Sequence, residues 1–121
     1  MAEEIKETKN KLGKTSIGME PNIAALLSYV LFFVSGIVFY IIEKKNKFVR
    51  FHAMQSIIVF AFFFVAHFVF GVLYIIPFLG RILYNLFLIF ELVVWIVLMV
   101  KAFQGDMFKL PVVGDIADKN S

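Results

Sequence analysis

The chain has 121 residues, of which 61% are hydrophobic and 17% charged, and its mean hydropathy is +0.88. A soluble domain of this length has too little interior to bury so much apolar surface, so the composition excludes an ordinary soluble protein. The sequence contains no cysteine, which excludes disulfides, thiolate nucleophiles and cysteine-ligated metals. The net charge of +3 comes from basic residues outside the apolar runs, which favours membrane topology and anionic-lipid contact over nucleic-acid binding.

The N-terminal part, residues 1–22, is a polar tail of mixed charge, too long and too mixed to be the start of a cleavable signal peptide. The first apolar run, Ile23–Ile42, follows it and carries no charge. Because about 20 apolar residues cross the hydrocarbon core as a helix, this run predicts a first transmembrane helix over residues 23–42. Ala24, Ser28 and Ser35 fall on one face of that helix, which is typical of close helix packing in lipid.

A basic connection precedes the second apolar run, and Asn46 within it is a plausible N-cap for the next helix. Polar side chains continue into the first turns of that helix at spacings that put them on one face. We interpret these residues as a candidate contact for a lipid headgroup or a partner, and ordinary snorkelling and capping at the interface is the alternative. The set consists of Lys44, Lys45, Lys47, Arg50, His52, Gln55 and Ser56.

Two further transmembrane helices are predicted over about residues 49–77 and 82–103, with Pro77 and Gly80 forming a tight hairpin turn between them. The fold class is therefore all-α, an integral membrane protein of three transmembrane helices. The membrane domain covers residues 23–105, and residues 106–121 form a C-terminal tail at the membrane surface. Seven basic residues fall in the connection before the second run and in the C-terminal part, against five in the N-terminal tail and the hairpin turn. By the positive-inside rule this places the N-terminus outside and the C-terminus in the cytoplasm of a cell-membrane protein.

Two ionisable residues, His67 and Glu91, lie near the middles of the second and third apolar runs. Counted outward from Gly80, their depths differ by only about 3 Å at 1.5 Å per residue, so the hairpin can pair them. Tyr74 and Asn85 match in the same way and form a second candidate pair. Each pair is either interhelical glue or part of a proton or ion path. Tyr84, Leu88, Glu91, Trp95 and Leu98 form one stripe on the third helix.

No nucleophile elbow, metal-ligand cluster or phosphate-binding loop appears in the sequence, so we expect no enzyme activity, no cofactor and no metal. Two functions remain open. The first is a non-enzymatic scaffold or assembly component that acts through helix packing and the basic cytoplasmic loop. The second is a small oligomeric transport or proton-conducting protein that uses His67 and Glu91. Anionic lipids are expected partners, with a second copy or another membrane protein as possible others.

Three segments, Glu20–Tyr29, Glu43–Ser56 and Leu110–Ala117, resemble a family of small uncharacterised prokaryotic membrane proteins. That family is grouped with the membrane subunit of the chloroplast inner-envelope (Tic) import translocon. The stretch Phe-Val-Arg-Phe-His-Ala-x-Gln-Ser, residues 48–56, is the most specific part. The resemblance implies a multi-pass membrane protein without an assigned activity. It supplies no catalytic residues, and the four spans of the plastid relatives differ from the three predicted here.

Overall fold

The computed structural model describes Glu3 and residues 12–121, and every regular element in these residues is a helix. The helices are α1 (Pro21–Val30), α2 (Phe33–Ile42), α3 (Lys47–Leu73), α4 (Leu79–Phe103) and α5 (Val113–Lys119). Two of them, α3 with 27 residues and α4 with 25, are long and apolar enough to cross a membrane by length and composition. The all-helical prediction is confirmed for the described residues, and the prediction of three spans is not.

The first apolar run differs from the single helix expected, because it folds as two helices of ten residues each. The break falls at Leu31 and Phe32, and Phe32 has a φ of 59°, which L-residues rarely adopt. Side chains of α3 and α4 donate further hydrogen bonds to two carbonyls at this break. Trp95 Nε1 donates to the Tyr29 carbonyl over 2.7 Å, and Ser56 Oγ donates to the Phe32 carbonyl over 2.8 Å. Each helix is about 15 Å long, half the hydrocarbon thickness.

Helices α1 and α2 form a hairpin that enters and leaves at the same end of the α3–α4 pair. Asn22 Nδ2 at the start of α1 donates to the Phe103 carbonyl at the end of α4 over 3.2 Å. At the end of α2, an Arg50 Nη1 group near the start of α3 donates to the Glu43 carbonyl over 2.7 Å. The two short helices therefore run antiparallel to the neighbouring halves of α4 and α3. The hairpin tip at Phe32 reaches Phe60 of α3, with ring centroids 5.1 Å apart.

This arrangement divides the molecule into two parts. The packed half comprises residues 21–60, which include α1, α2 and the start of α3, and residues 95–121, which include the end of α4 and all of α5. The open half comprises residues 61–94, where α3 and α4 form a two-helix hairpin alone. Nearly all fully buried side chains lie in the packed half, including Tyr29, Phe51 and Leu98. In the open half most large apolar side chains, such as Phe62, Phe68 and Ile89, are exposed, as expected for a surface in contact with lipid.

Helix α5 lies against the start of α3 and the end of α2. Lys47 Nζ is 3.1 Å from Asp118 Oδ1, and Tyr40 Oη donates to the Asn120 carbonyl over 2.7 Å. Arg50 Nε donates to the Ser121 carbonyl over 2.9 Å, and its guanidinium lies 4.1 Å from the centre of the Tyr40 ring. The tail is thus fixed to the protein through polar contacts to α2 and α3.

Candidate functional site

The most specific stretch of the sequence, residues 48–56, builds a buried polar network in the packed half. The side chains of His52, Gln55 and Tyr29 are fully buried. Gln55 Nε2 donates to the Tyr29 hydroxyl over 3.0 Å, and that hydroxyl lies 2.6 Å from His52 Nδ1. The Tyr29 hydroxyl therefore accepts from Gln55 and donates to His52, which ties α1 to α3.

The same two side chains of α3 bind the backbone of the segment after α4. His52 Nε2 lies 3.0 Å from the Asp106 carbonyl, and because a carbonyl can only accept, Nε2 carries the proton. Gln55 Nε2 donates to the Phe108 carbonyl over 2.9 Å, and Gln55 Oε1 accepts from the Leu110 amide over 3.1 Å. Every polar atom of the two side chains thus has a partner, and the irregular segment after α4 is fixed to α3 through its backbone.

A second buried group, Glu43, organises the connection between α2 and α3. Its carboxylate accepts from the backbone amides of Ser16, Lys45 and Asn46 at 2.8–3.0 Å and from the Ser16 hydroxyl over 2.7 Å. Burial alone would raise the pKa of this carboxyl, but the hydrogen bonds outweigh it and lower the pKa from 4.5 to about 2. Asn46 caps α3 by accepting from the Val49 amide over 3.2 Å, and its Nδ2 donates to the Leu12 carbonyl over 2.8 Å.

These contacts correct part of the predicted lipid or partner surface. His52, Gln55 and Ser56 are fully buried and bonded within the protein, so they are not available to a headgroup. Arg50 is half-buried, with carbonyl partners on α2 and at the C-terminus. Three members of the predicted set remain exposed, namely Lys44, Lys45 and Lys47. The candidate surface is therefore reduced to a lysine cluster beside the buried network.

The open half contains the other candidate group, and the structure brings His67 and Glu91 together. His67 Nε2 lies 2.8 Å from Glu91 Oε2, and the side chains remain 34% and 17% exposed. Tyr84 extends the pair, because its hydroxyl lies 3.2 Å from His67 Nδ1. Among the described residues no hydrogen bond joins Tyr74 to Asn85. Instead, the Tyr74 hydroxyl accepts from Arg81 Nε over 3.3 Å, and Asn85 is exposed.

A cleft of about 330 Å³ opens beside the His67–Glu91 pair. Its walls are apolar apart from the pair, and the tip of the α1–α2 hairpin contributes Phe32. A smaller cleft of about 200 Å³ lies nearby and shares Phe32, His67 and Glu91. The lining of the larger cleft is Phe32, His67, Leu88, Glu91, Leu92 and Trp95. Within the described residues, no group of three or more His, Asp or Glu side chains could hold a metal ion.

Several residues of these sites were not identified from the sequence. Glu43 looked like part of a charged loop, and the partners that fix it lie 2–27 positions away along the chain. Tyr29 looked like an ordinary apolar-run residue, although a tyrosine within a span needs a hydroxyl partner and could have been paired with His52 on that ground. Tyr84 and Trp95 lie on the predicted Glu91 stripe, but no sequence pattern indicated their hydrogen-bond partners on α3 and α1.

The chain matches one protein-family model and is similar to several membrane proteins. Residues 16–117 match the model of the MamF_MmsF family, described as the magnetosome magnetite crystal formation protein family. A UPF0132 membrane protein of Methanocaldococcus jannaschii is 46% identical over 110 residues, which cover 91% of this chain and 96% of the relative. A second UPF0132 membrane protein from that organism is 38% identical over 86% of this chain and 72% of its own length.

An Archaeoglobus fulgidus UPF0132 membrane protein is 44% identical over 84% of this chain and 95% of its own length. No solved structure matches the chain significantly. These relatives confirm the expected small prokaryotic membrane-protein family, and they include no Tic subunit, so that part of the resemblance stays a prediction. Most of the chain, including both polar groups described above, lies inside the matched residues, and the protein belongs to the MamF_MmsF family of membrane proteins.

Proposed function

We propose that the protein is a non-enzymatic membrane scaffold or assembly component that presents a lysine surface at one side of the bilayer. The supporting observation is the packed half, where His52, Gln55, Ser56 and Glu43 all bond to the protein itself and fix its shape. These polar side chains stabilise the fold, whereas the exposed Lys44 and Lys45 beside them are available for interaction. An assembly role at a membrane is compatible with the family description, magnetosome magnetite crystal formation.

In this proposal α3 and α4 cross the bilayer and the α1–α2 hairpin is re-entrant, rather than one helix of a three-span protein. Irregular backbone at membrane depth is tolerated when protein surrounds it, and the break at Phe32 has side-chain partners of that kind. Both chain termini then lie on the same side. Of the twelve basic residues, eleven fall on that side and Arg81 alone on the other, which by the positive-inside rule is the cytoplasm.

Cysteine labelling tests this topology, because the native chain has no cysteine. Single cysteines at Lys14, Lys45 and Asp115 should react with an impermeant reagent from the cytoplasmic side, and one at Arg81 should react from the outside. The outcome that contradicts the proposal is labelling of Lys14 and Arg81 from the same side, as three spans require.

The lysine surface fits anionic lipid headgroups. Lys44 and Lys45 are exposed in the connection between α2 and α3. Each basic residue near a negatively charged membrane surface contributes about 1 kcal/mol to membrane binding. Replacing both by Gln should reduce retention of phosphatidylglycerol or cardiolipin during purification. Lys119→Gln, an exposed lysine at the chain end, is the matched control. Unchanged lipid retention in the double variant would remove the lipid part of the proposal.

The scaffold role itself is tested by co-purification from native membranes, with a mass measurement in mild detergent. A stable complex with other membrane components, lost in the Lys44→Gln, Lys45→Gln variant, is the expected result. A strictly monomeric protein that carries no partner from its native membrane contradicts it.

A second function has one supporting observation, the hydrogen-bonded row Tyr84–His67–Glu91 inside the open half. Such a row could pass protons if several copies enclosed a path. Proton flux in liposomes that Glu91→Gln abolishes would favour this function over the scaffold. Absence of flux in the parent protein would reject it.

A further inference from the structure

The cleft beside Glu91 combines a carboxyl group with aromatic rings at hydrocarbon depth. His67 lies seven residues beyond Phe60, the α3 residue reached by the hairpin tip, and this is about 10 Å farther along the helix. At this level α1 and α2 have ended, so the pair faces open space on one side. A partly exposed ionisable pair is costly against lipid, and such residues usually face a partner or a binding cavity.

One polar atom of the His67–Glu91 pair is available to a ligand. Both ring nitrogens of His67 are engaged, Nδ1 with Tyr84 and Nε2 with Glu91 Oε2. Within the described part of the chain, the second carboxyl oxygen, Glu91 Oε1, has no hydrogen-bond partner. An oxygen that can only accept, or that carries a negative charge, is best satisfied by a donor or a cation.

The walls of the cleft favour a cation. Phe32 and Trp95 have ring centroids 5.5 Å apart at an angle of 41°, and both line the cleft that contains Glu91. Trp95 Nε1 is held by the Tyr29 carbonyl, so the ring is fixed in orientation. The faces of tryptophan and phenylalanine attract organic cations, most strongly where water is absent. A second copy of this chain would offer Glu91 no lysine or arginine at this depth, because Arg81 and Lys101 lie near the two ends of α4.

We propose that this cleft binds a lipophilic organic cation, whose charge meets the Glu91 carboxylate and whose apolar groups contact Phe32 and Trp95. The cleft volume of about 330 Å³ falls in the range of small-molecule sites. This inference goes beyond the scaffold role and does not depend on it, because the cleft is formed by a single chain.

The test uses Trp95, the one tryptophan of the sequence, as the reporter. Tetraphenylphosphonium is titrated into the full chain in detergent micelles, and tetraphenylsilane serves as the neutral probe of the same shape. The cation should change Trp95 fluorescence saturably, and the silane should bind at least roughly tenfold more weakly. Glu91→Gln should keep the melting temperature and lose about tenfold in cation affinity. Phe32→Leu should weaken binding severalfold, whereas Phe68→Leu, on an exposed part of α3 that does not line the cleft, should not.

Three results would overturn the proposal: equal affinity for the cation and the silane, an unchanged affinity in Glu91→Gln, or no saturable signal in the folded parent protein. Self-association that covers the cleft would appear as cross-linking through cysteines at Leu88 or Leu92 together with no saturable signal. It would assign the cleft to a second copy instead. Loss of the scaffold partners in native membranes would leave this measurement unaffected, so the two proposals fail separately.

Discussion

His52 and His67 belong to the same helix, yet they occupy opposite environments. His52 lies in the packed half, is fully buried, and bonds to the Tyr29 hydroxyl and a backbone carbonyl. His67 lies in the open half, is 34% exposed, and its ring bonds to the side chains of Tyr84 and Glu91 beside a cleft. The difference comes from the number of elements that surround α3 at each level. Where the α1–α2 hairpin and the tail surround it, polar groups fix the fold, and beyond the hairpin tip they remain available to a ligand.

The largest effect that this comparison predicts is at Gln55. Gln55→Leu removes the partners of the Phe108 carbonyl and the Leu110 amide and one donor to Tyr29. Because buried polar groups without partners are costly, we expect a loss of roughly 2–5 kcal/mol in unfolding free energy, measured by thermal or denaturant unfolding in detergent. Gln104→Leu makes the same change at an exposed site near the same end and should have little effect. Equal stability of the two variants would mean that the network does not hold the packed half together.

Two glycines sharpen the comparison further. A Cβ at Gly36 would lie 2.9 Å from the Ala53 carbonyl and 3.0 Å from Ser56, so α2 could not stay as close to α3. We expect Gly36→Ala to cost about 1–3 kcal/mol, as overpacking does. Gly71, in the open half, has no atom within 4 Å of such a Cβ. Gly71→Ala should be neutral or stabilise α3 by up to about 1 kcal/mol, because alanine is the better helix former. Melting temperatures of both variants in one detergent decide the point, and a reversed order would contradict it.

Acid should weaken the packed half through Glu43. Its pKa is about 2 in the folded protein against 4.5 ordinarily, so the unfolded chain takes up a proton first as the pH falls. The stabilisation is complete above about pH 5 and is lost progressively towards pH 2. Glu43→Gln should therefore lower the melting temperature at pH 7 by a few degrees, and this difference should shrink by pH 3. Asp115→Asn, an exposed carboxylate, should leave the pH profile of the parent protein unchanged. A constant gap between parent and Glu43→Gln would argue against the role of charge.

The two long helices and the similar depth of His67 and Glu91 could be predicted from the sequence. Hydropathy and length identify the apolar parts of α3 and α4, and helical rise alone brings His67 opposite Glu91. The break in the first apolar run could not be seen, because Leu31 and Phe32 are neither glycine nor proline. Two of the side chains that bond to it are distant in the sequence, since Trp95 donates to the Tyr29 carbonyl and Ser56 to the Phe32 carbonyl.

The burial of His52 and Gln55 was hidden for a related reason. Their spacing places them on one helix face near a basic connection, a pattern equally typical of an interface with headgroups. Only the return of the chain after α4 covers that face, and this return has no periodic signal because it is irregular and bonded through its backbone. The Tyr74–Asn85 match failed because equal depth does not determine azimuth, and Asn85 points to the exposed side.

The smallest effect concerns Glu91, and it separates binding from stability. Glu91→Gln keeps an oxygen and an amide for His67, so the melting temperature should change little. Glu91→Leu leaves His67 Nε2 without its partner and should cost about 1 kcal/mol, the scale measured for polar contacts between membrane helices. In both variants the affinity for tetraphenylphosphonium, read from Trp95 fluorescence, should fall about tenfold. If Glu91→Gln destabilised the protein as much as Gln55→Leu, the pair would be structural, and polar groups would stabilise the fold in both halves of the molecule. A stable variant that binds the cation more weakly would place a binding site of this chain in the open half, where α3 and α4 pair beyond the reach of the α1–α2 hairpin.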